Sequence, residues 1–502
     1  MKYTIFTAIK NEEMIKAQQK LNNAFYALLS LPATAMGFAL SVQIAALSWI
    51  LSTKYGFDIH EVGIVWAAGP LAGIIAQPIV GAISDNVWFL NGRRRPFILI
   101  GGFLAALMLL ALPNIDVIGH SLGFDGATLG IAIAVAITLD LSINISFNPT
   151  RSIIADVTPE GNKRTNGYTW MQTISGTFGV LAYAIGAYFN NYFLIYFGVI
   201  LVLLFSLIPP FFIEEPKEIQ SHNDVTDKEN TNTKTDYKEI FESILPLFGF
   251  LLYGVYVIIK QLTDFNVSGN IVEYFAIGLT VILGLKIITG GRNNENDKNE
   301  FQKILLAHAF TWWGVQSMFV YMFAYVKSNI LGHSPDAELA TEANNQIGVV
   351  ISISFLVLNL VGAILPALVL GPLAKKYSRV KVHMISIAIM AIGYAGILFF
   401  GDGHKFILYV MMAVVGIGWA STISLPFAIM SERVDQAKMG LFMGLFNLSV
   451  VLPQLVASFK MGEIVKHAEN KNVLFIITTV TLTISAVLWI FVKEPLSKKA
   501  EA

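Results

Sequence analysis

The chain has 502 residues, of which 55% are hydrophobic and 14% charged, and its mean hydropathy is +0.62. A soluble protein carries about 25% charged residues, so this composition excludes a string of ordinary soluble domains and points to one polytopic membrane body. The 34 Lys and Arg balance 34 Asp and Glu, leaving no basic field for nucleic acid, and the lack of Cys excludes disulfides, thiolate metal sites and a cysteine nucleophile.

Residues 1–24 carry Lys2, Lys10, Lys16, Lys20, Glu12 and Glu13, with no short apolar core before a small-residue cleavage site. They read as a retained cytoplasmic tail. Apolar runs of bilayer-crossing length, about 17–25 residues, come next near 25–51, 62–82, 96–113, 127–150, 169–189 and 193–213, a first six-helix bundle over 25–213. Residues 214–303 form a linker, polar and solvated over Ser221 to Tyr237, that contains an inserted apolar hairpin at 244–289. Its two runs, near 244–260 and 272–289, both span or both fail to span, since either choice keeps the orientation of the second bundle; spanning is the expectation. Six more runs near 304–326, 347–370, 382–400, 405–430, 438–459 and 473–492 make that second bundle over 304–493, and 494–502 form a second tail.

The expected fold is therefore an all-α polytopic membrane protein, two six-helix bundles with an extra transmembrane hairpin, about fourteen helices in all. With the N-terminus inside, most of the 34 Lys and Arg fall in inner loops; Lys54, Lys260, Lys327, Lys405, Lys460, Lys466 and Lys471 fall outside, and Arg151 and Lys286 within runs. That bias places both termini and the linker in the cytoplasm, with the protein in the cytoplasmic (inner) membrane.

The halves repeat one another. Gly81-Ala-Ile-Ser84-Asp85, then Gly92-Arg93-Arg94-Arg95-Pro96, follows the second run, and Gly371-Pro-Leu-Ala-Lys375-Lys376-Tyr-Ser-Arg379 follows the second run of the later half. After the fourth run of each half a Pro precedes a Val by eight residues, Pro149 to Val157 with Asp156 beside it, and Pro426 to Val434 with Arg433 beside it. Such repetition is the signature of a rocking transporter. Asp85, Arg93, Arg94, Arg95, Asp156 and Arg433 are candidate gating residues, because a carboxylate–arginine pair on a short inner loop can break when the halves move. The plainer reading, that the arginines set topology, is compatible with this one. The Gly81 to Arg95 pattern, with its weaker copy at 371–379, resembles the signature loop of the major facilitator superfamily.

The fourth run holds Asp140 near its middle, where a carboxylate costs about 2.5–3.5 kcal/mol on insertion scales and usually serves ions or protons. At 100° per residue Asn144, Asn148 and Arg151 fall about 40°, 80° and 20° from it, so all four share one side. Asp140 and Arg151 are about 16 Å apart along the axis and cannot pair directly. Pro149 removes one backbone bond and predicts a kink. A structural hydrogen-bonding role for Asp140 weighs less than ion coupling; for Arg151, gate or substrate contact and a snorkelling anchor weigh equally.

Asp140-Leu-x-x-Asn144 followed by Pro149-x-Arg151-x-x-x-Ala155-Asp156 resembles the fourth helix of plant sucrose–proton symporters and their animal and bacterial relatives. So do Gly69-Pro70-x-x-Gly73-x-x-x-Gln77-Pro78-x-x-Gly81-x-x-Ser84-Asp85 and, later, Pro426-Phe-Ala428, Gly440-x-x-x-Gly444-x-x-Asn447-Leu448 and Pro453-Gln454. The resemblance spans both bundles. It implies that Asp140 is the protonated coupling carboxylate, that Arg151 is its essential cationic neighbour, and that Asn144 orients the sugar or Asp140. It also implies a His near the first external loop, where His60 stands about one residue out of register with Gly69-Pro70. The inserted hairpin departs from the family's twelve-helix pattern.

Sugars are held by amides, carboxylates and aromatic faces. Further cavity candidates are Gln43, Gln316, Asn359, Asn447 and Gln454, with Trp312 and Trp313; any one amide is more often interhelical glue, and the two Trp suit an interfacial belt equally well. His308 can titrate, but a lone His in a run is more often a hydrogen-bonded helix contact. No metal pattern or phosphate loop is present.

The function expected is a proton-coupled symporter importing a disaccharide or glycoside, sucrose- or maltose-like, with no cofactor and the proton, or else sodium, as coupling ion. Its partners are the sugar and the bilayer, without nucleic acid, and the chain acts as a monomer. An uncoupled facilitator or exporter and a non-transporting sugar sensor are the alternatives on the same fold. An intramembrane enzyme lacks its catalytic constellation. The later half has Ile417 where the first has Asp140, so coupling is expected in the first half and sugar holding in the second.

Overall fold

Backbone amides inside a bilayer find no water, so each needs a partner within the chain. The computed structural model describes residues 18–494 except 19, 68, 74–79, 81–82, 84–86, 125, 159–161, 217–236, 264, 291–296, 335–338, 432 and 435–438. Among these residues the need is met by helices, and the one β-bridge, Phe89 with Gly92, is isolated. The main helices are α1 Asn23–Thr53, α2 Ile59–Trp66, α3 Arg95–Ala111, α4 Thr128–Val157, α5 Asn162–Tyr188, α6 Asn191–Leu207 and α7 Phe248–Leu262. After these come α8 Ile271–Gly290, α9 Asp297–Tyr325, α10 Thr341–Leu365, α11 Arg379–Phe400, α12 Lys405–Thr422, α13 Met439–His467 and α14 Val473–Trp489.

Nine helical stretches among the described residues are long and apolar enough to cross a membrane. The chain is thus an all-helical, multi-pass membrane protein, and the described residues supply nine such stretches by length and composition where fourteen were expected. Helices α5 and α9 open on charged turns (Lys163 and Arg164; Asp297, Lys298 and Glu300), which lowers their hydropathy. In the hairpin α8 has 20 residues, about 30 Å of helix, whereas α7 has 15, about 22 Å.

Local chemistry sets the ends. The Asn22 side chain accepts from the Phe25 amide at 2.9 Å and starts α1. Pro96 sits in the first turn of α3, where a missing N–H costs nothing. Within α1 the Ser30 hydroxyl donates to the Tyr26 carbonyl and Thr34 to that of Ser30, which satisfies polar groups without water. Helix α4 continues through Pro149 to Val157, seven residues beyond the expected end. The expected run at 405–430 divides at Thr422, and a short helix, Leu425–Ser431, restarts with Pro426 in its first turn.

Two compact units result, Met1–Tyr55 with Leu71–Lys234, and Gly56–Pro70 with Thr235–Ala502. In the first, α1 lies against α5, α6 and α4, and α3 against α4 and α6. Phe25, Leu29, Ile98, Ile153, Ile154 and Ile213 form part of its core. In the second, α9 lies against α13 and α14, α12 against α10 and α11, and α11 against α14. The hairpin docks there too: the Phe250 ring meets Phe310 and Trp313 edge-on, and Lys460 Nζ of α13 lies 3.4 Å from Glu273 of α8.

Candidate functional site

In the first unit α1 and α4 bring Gln43 and Asp140 together. Asp140 is 7% exposed, and one of its carboxylate oxygens accepts the Gln43 amide at 3.0 Å. Among the described residues no cation pairs with Asp140, so the carboxylate faces a neutral donor alone. One turn on, the Asn144 amide donates to the Asp140 backbone carbonyl at 2.8 Å, which turns it toward its own helix. Arg151 is exposed; its guanidinium stacks 4.0 Å over the Phe147 ring, and its carbonyl accepts from the Tyr168 hydroxyl. Asn148 lies on α4, but its side chain is outside the described residues.

The second unit collects the other amides. Gln454 Nε2 donates to Gln316 Oε1 at 3.1 Å, and Gln316 Nε2 to the Ser458 hydroxyl at 3.4 Å, joining α13 to α9. Asn359 on α10 donates to the Phe355 carbonyl and accepts the Trp419 indole N–H at 3.3 Å. Trp419 also meets Trp312 and Phe319 edge-on, which makes an aromatic wall beside these amides. Asn447 is half-buried on α13. Trp313 turns instead to the hairpin, and His308 accepts the Trp312 indole N–H at 2.9 Å while its ring stacks on Phe446, a helix contact.

The gating candidates form two further networks. Arg94, 7% exposed, donates Nε to Asp156 at 3.0 Å. The Glu215 carboxylate accepts the backbone amides of Arg93, Arg94 and Arg95 at 2.7–2.8 Å and so caps α3, while the Arg95 guanidinium donates to the Ile213 carbonyl. Asp85 lies outside the described residues. In the second unit Arg433 donates to Asp297 at 2.8 Å and to the Lys493 carbonyl at 3.0 Å. Glu494 mirrors Glu215: it accepts the Ser378 hydroxyl and the Val380 amide and pairs with Arg379, at the start of α11. Burial alone would raise the Glu494 pKa, but Ser378, the Val380 amide and Arg379 together hold it below the usual carboxylate range.

Trp419, Ser458, Tyr321 and the two capping glutamates escaped the sequence reading. A signal for the glutamates was available, since Glu215-Pro216 and Glu494-Pro495 each follow the sixth apolar run of a half. Among the described residues no group of three His, Asp or Glu is placed to hold a metal ion.

Comparison with known proteins gives a consistent picture. The family model described as Major Facilitator Superfamily matches residues 29–458. A sucrose transport protein of Arabidopsis thaliana is 24% identical over 476 residues, covering 87% of this chain and 83% of the relative. One of Oryza sativa subsp. indica is 26% identical over 485 residues, covering 85% of each. Among solved structures, a xylose transporter of E. coli in an inward-open conformation superposes with a TM-score of 0.60 at 14% identity, over 95% of this chain and 97% of its own. At that identity the likeness speaks to the fold alone.

Proposed function

Since the chain belongs to the Major Facilitator Superfamily, whose members are transporters and not enzymes, we propose that it imports a disaccharide or similar glycoside together with a proton. The observation that carries the reading is Asp140, a buried carboxylate with one neutral hydrogen-bond donor and no paired cation among the described residues. Protonation removes a charge that is expensive inside a membrane, so proton binding can license a conformational change. Support for the cargo comes from the relatives, which are named sucrose transport proteins, and from the amides and indole of the second unit, groups that suit hydroxyl-rich ligands.

In this account Asp140 takes a proton from outside and the neutral, loaded protein rearranges. Release of sugar and proton to the cytoplasm then restores the anion. Arg151, with its guanidinium on an aromatic ring and five donors to offer, binds sugar hydroxyls or steadies the returning carboxylate. Arg94–Asp156 and Arg433–Asp297 serve as cytoplasmic pairs that break and re-form. The same proposal places the protein in the cytoplasmic membrane, with both termini inside, acting as a monomer.

Uptake of a labelled disaccharide panel into proteoliposomes tests the reading. An imposed inward pH gradient drives accumulation in the natural protein, and Asp140→Asn reduces it to the level of empty liposomes while sugar binding survives. Full gradient-driven uptake in Asp140→Asn contradicts it. Equal uptake with and without the gradient in the natural protein identifies a facilitator, and dependence on a sodium gradient at constant pH identifies sodium as the coupling ion.

A further inference from the structure

Two indoles stand together in the second unit, and each gives its N–H to a neighbour in the protein. Trp419 on α12 donates to Asn359 Oδ1 at 3.3 Å, and Trp312 on α9 donates to His308 Nε2 at 2.9 Å. Their rings meet edge-on with centroids 6.1 Å apart, and both residues are half-buried. An indole nitrogen can only donate. With both donors used inside the protein, what these rings offer a ligand is carbon. Such surfaces suit the C–H face of a sugar ring, while its hydroxyls fall to the amides.

His308 is the less expected of the two acceptors. It is 1% exposed, and its ring lies on that of Phe446, with 19° between the planes and 4.8 Å between centroids. Packing on Phe446 requires only a flat ring, which a Phe would supply without burying a polar atom. The nitrogen answers a different need. Because the indole donates, Nε2 must accept, so His308 carries its hydrogen on Nδ1, an atom with no partner among the described residues. The bond to Trp312 is therefore the one hydrogen bond that this ring makes among them. Both ends of that bond belong to α9, so it joins no two helices. What it fixes is the orientation of the Trp312 ring.

We propose that His308 is a positioning residue that holds the Trp312 indole against Trp419, so that the pair presents an apolar wall to one face of the sugar ring. His308 itself does not touch the cargo. The inference rests on the sugar-binding part of the proposed function, and its test separates the two.

Binding of a labelled disaccharide panel to the full-length protein in detergent is compared among His308→Phe, His308→Gln, Trp312→Phe and the double variant. A Trp312 ring freed from His308 must be ordered by the sugar, so His308→Phe weakens binding about fivefold, within the range for immobilising one large side chain. His308→Gln, whose amide oxygen still accepts, stays within about twofold. In the Trp312→Phe background His308→Phe has no further effect, since the two residues act as one. An equal fivefold loss in that background overturns the proposal, because His308 then acts otherwise than through Trp312. Undiminished affinity in His308→Phe overturns it as well. If His308→Phe does not fold, Trp312→Phe decides: weakened binding supports the wall, and unchanged binding overturns it. Tryptophan emission is recorded on the same samples without sugar. His308→Phe shifts it, and the shift disappears when both proteins also carry Trp312→Phe. Failure of every disaccharide to bind overturns the sugar reading and the wall with it, and the emission shift then decides by itself whether His308 holds Trp312.

Discussion

Asp140 in the first unit and Gln316 in the second are buried to a similar degree, 7% and 4% exposed, yet they are provided for differently. Asp140 has one amide donor, Gln43, and no paired cation among the described residues. Gln316 both accepts and donates, joining Gln454 to Ser458. A carboxylate in such a place carries a charge that only a proton or a cation can remove, whereas amides keep their hydrogen bonds by exchanging one partner for another. The position that matches Asp140 in the second half carries no charge. Ile417 lies between Gly416 and Gly418, whose close approach presses α12 to within 2.9 Å of the Leu358 carbonyl and 2.8 Å of that of Ser386, measured from an added methyl group. The contrast suggests a division of labour, with ion coupling on α4 and sugar recognition on α9, α10, α12 and α13.

The contrast can be broken at several points. The largest effect after loss of Asp140 itself is expected from Arg151→Lys. Lys keeps the charge but not the planar fork, and loss of a charge-assisted hydrogen bond, about 1.5–3 kcal/mol, lowers kcat/KM for gradient-driven uptake about 10- to 100-fold. An unaffected kcat/KM would leave Arg151 as a topological anchor. Next, Gln316→Leu raises the KM for sugar about tenfold, near 1.4 kcal/mol, with the pH dependence of uptake unchanged. A shifted pH dependence would show that the second unit takes part in coupling after all.

The smallest effects concern the two glutamate caps. Glu215→Ala lowers thermal stability by about 2–4 kcal/mol and Glu494→Ala by about 1–2 kcal/mol, because Glu215 takes three backbone amides and Glu494 takes one amide, a hydroxyl and a partly exposed Arg379. The folded pKa of Glu494 lies below its ordinary value of 4.5, so its contribution is fully present above that value and is lost as pH falls through the lower, folded one. The difference in melting temperature between the natural protein and Glu494→Ala should therefore persist at neutral pH and shrink in acid below 4.5. Equal losses for the two variants would deny the asymmetry of the caps.

Much of this was legible in the sequence. Apolar runs predict helices because a bilayer leaves the backbone no other way to satisfy itself, and Asp140 stands out in such a run by its cost. The stripe of Asn144 and Arg151 follows from helical periodicity, but periodicity does not say where a side chain turns; Asn144 turns back to the Asp140 carbonyl. Gln43 was a candidate among several amides, and only the approach of α1 to α4 makes it the partner of Asp140. The break at Thr422 was hidden because hydropathy continues across Pro426. The place of α2 was hidden for a deeper reason. A pair of glycines marks a close approach without naming the helix that approaches, so neither Gly63 on α2 nor Gly462 on α13 could be matched to the other before the fold was known.

The most direct test of the division of labour is proton movement itself. Proteoliposomes containing a pH-sensitive dye, with no imposed gradient, are given a transported disaccharide, and internal acidification is recorded. The natural protein should acidify the lumen as sugar enters. Asp140→Asn should still exchange sugar for sugar, with no proton signal. Sugar-dependent acidification in Asp140→Asn would contradict the account.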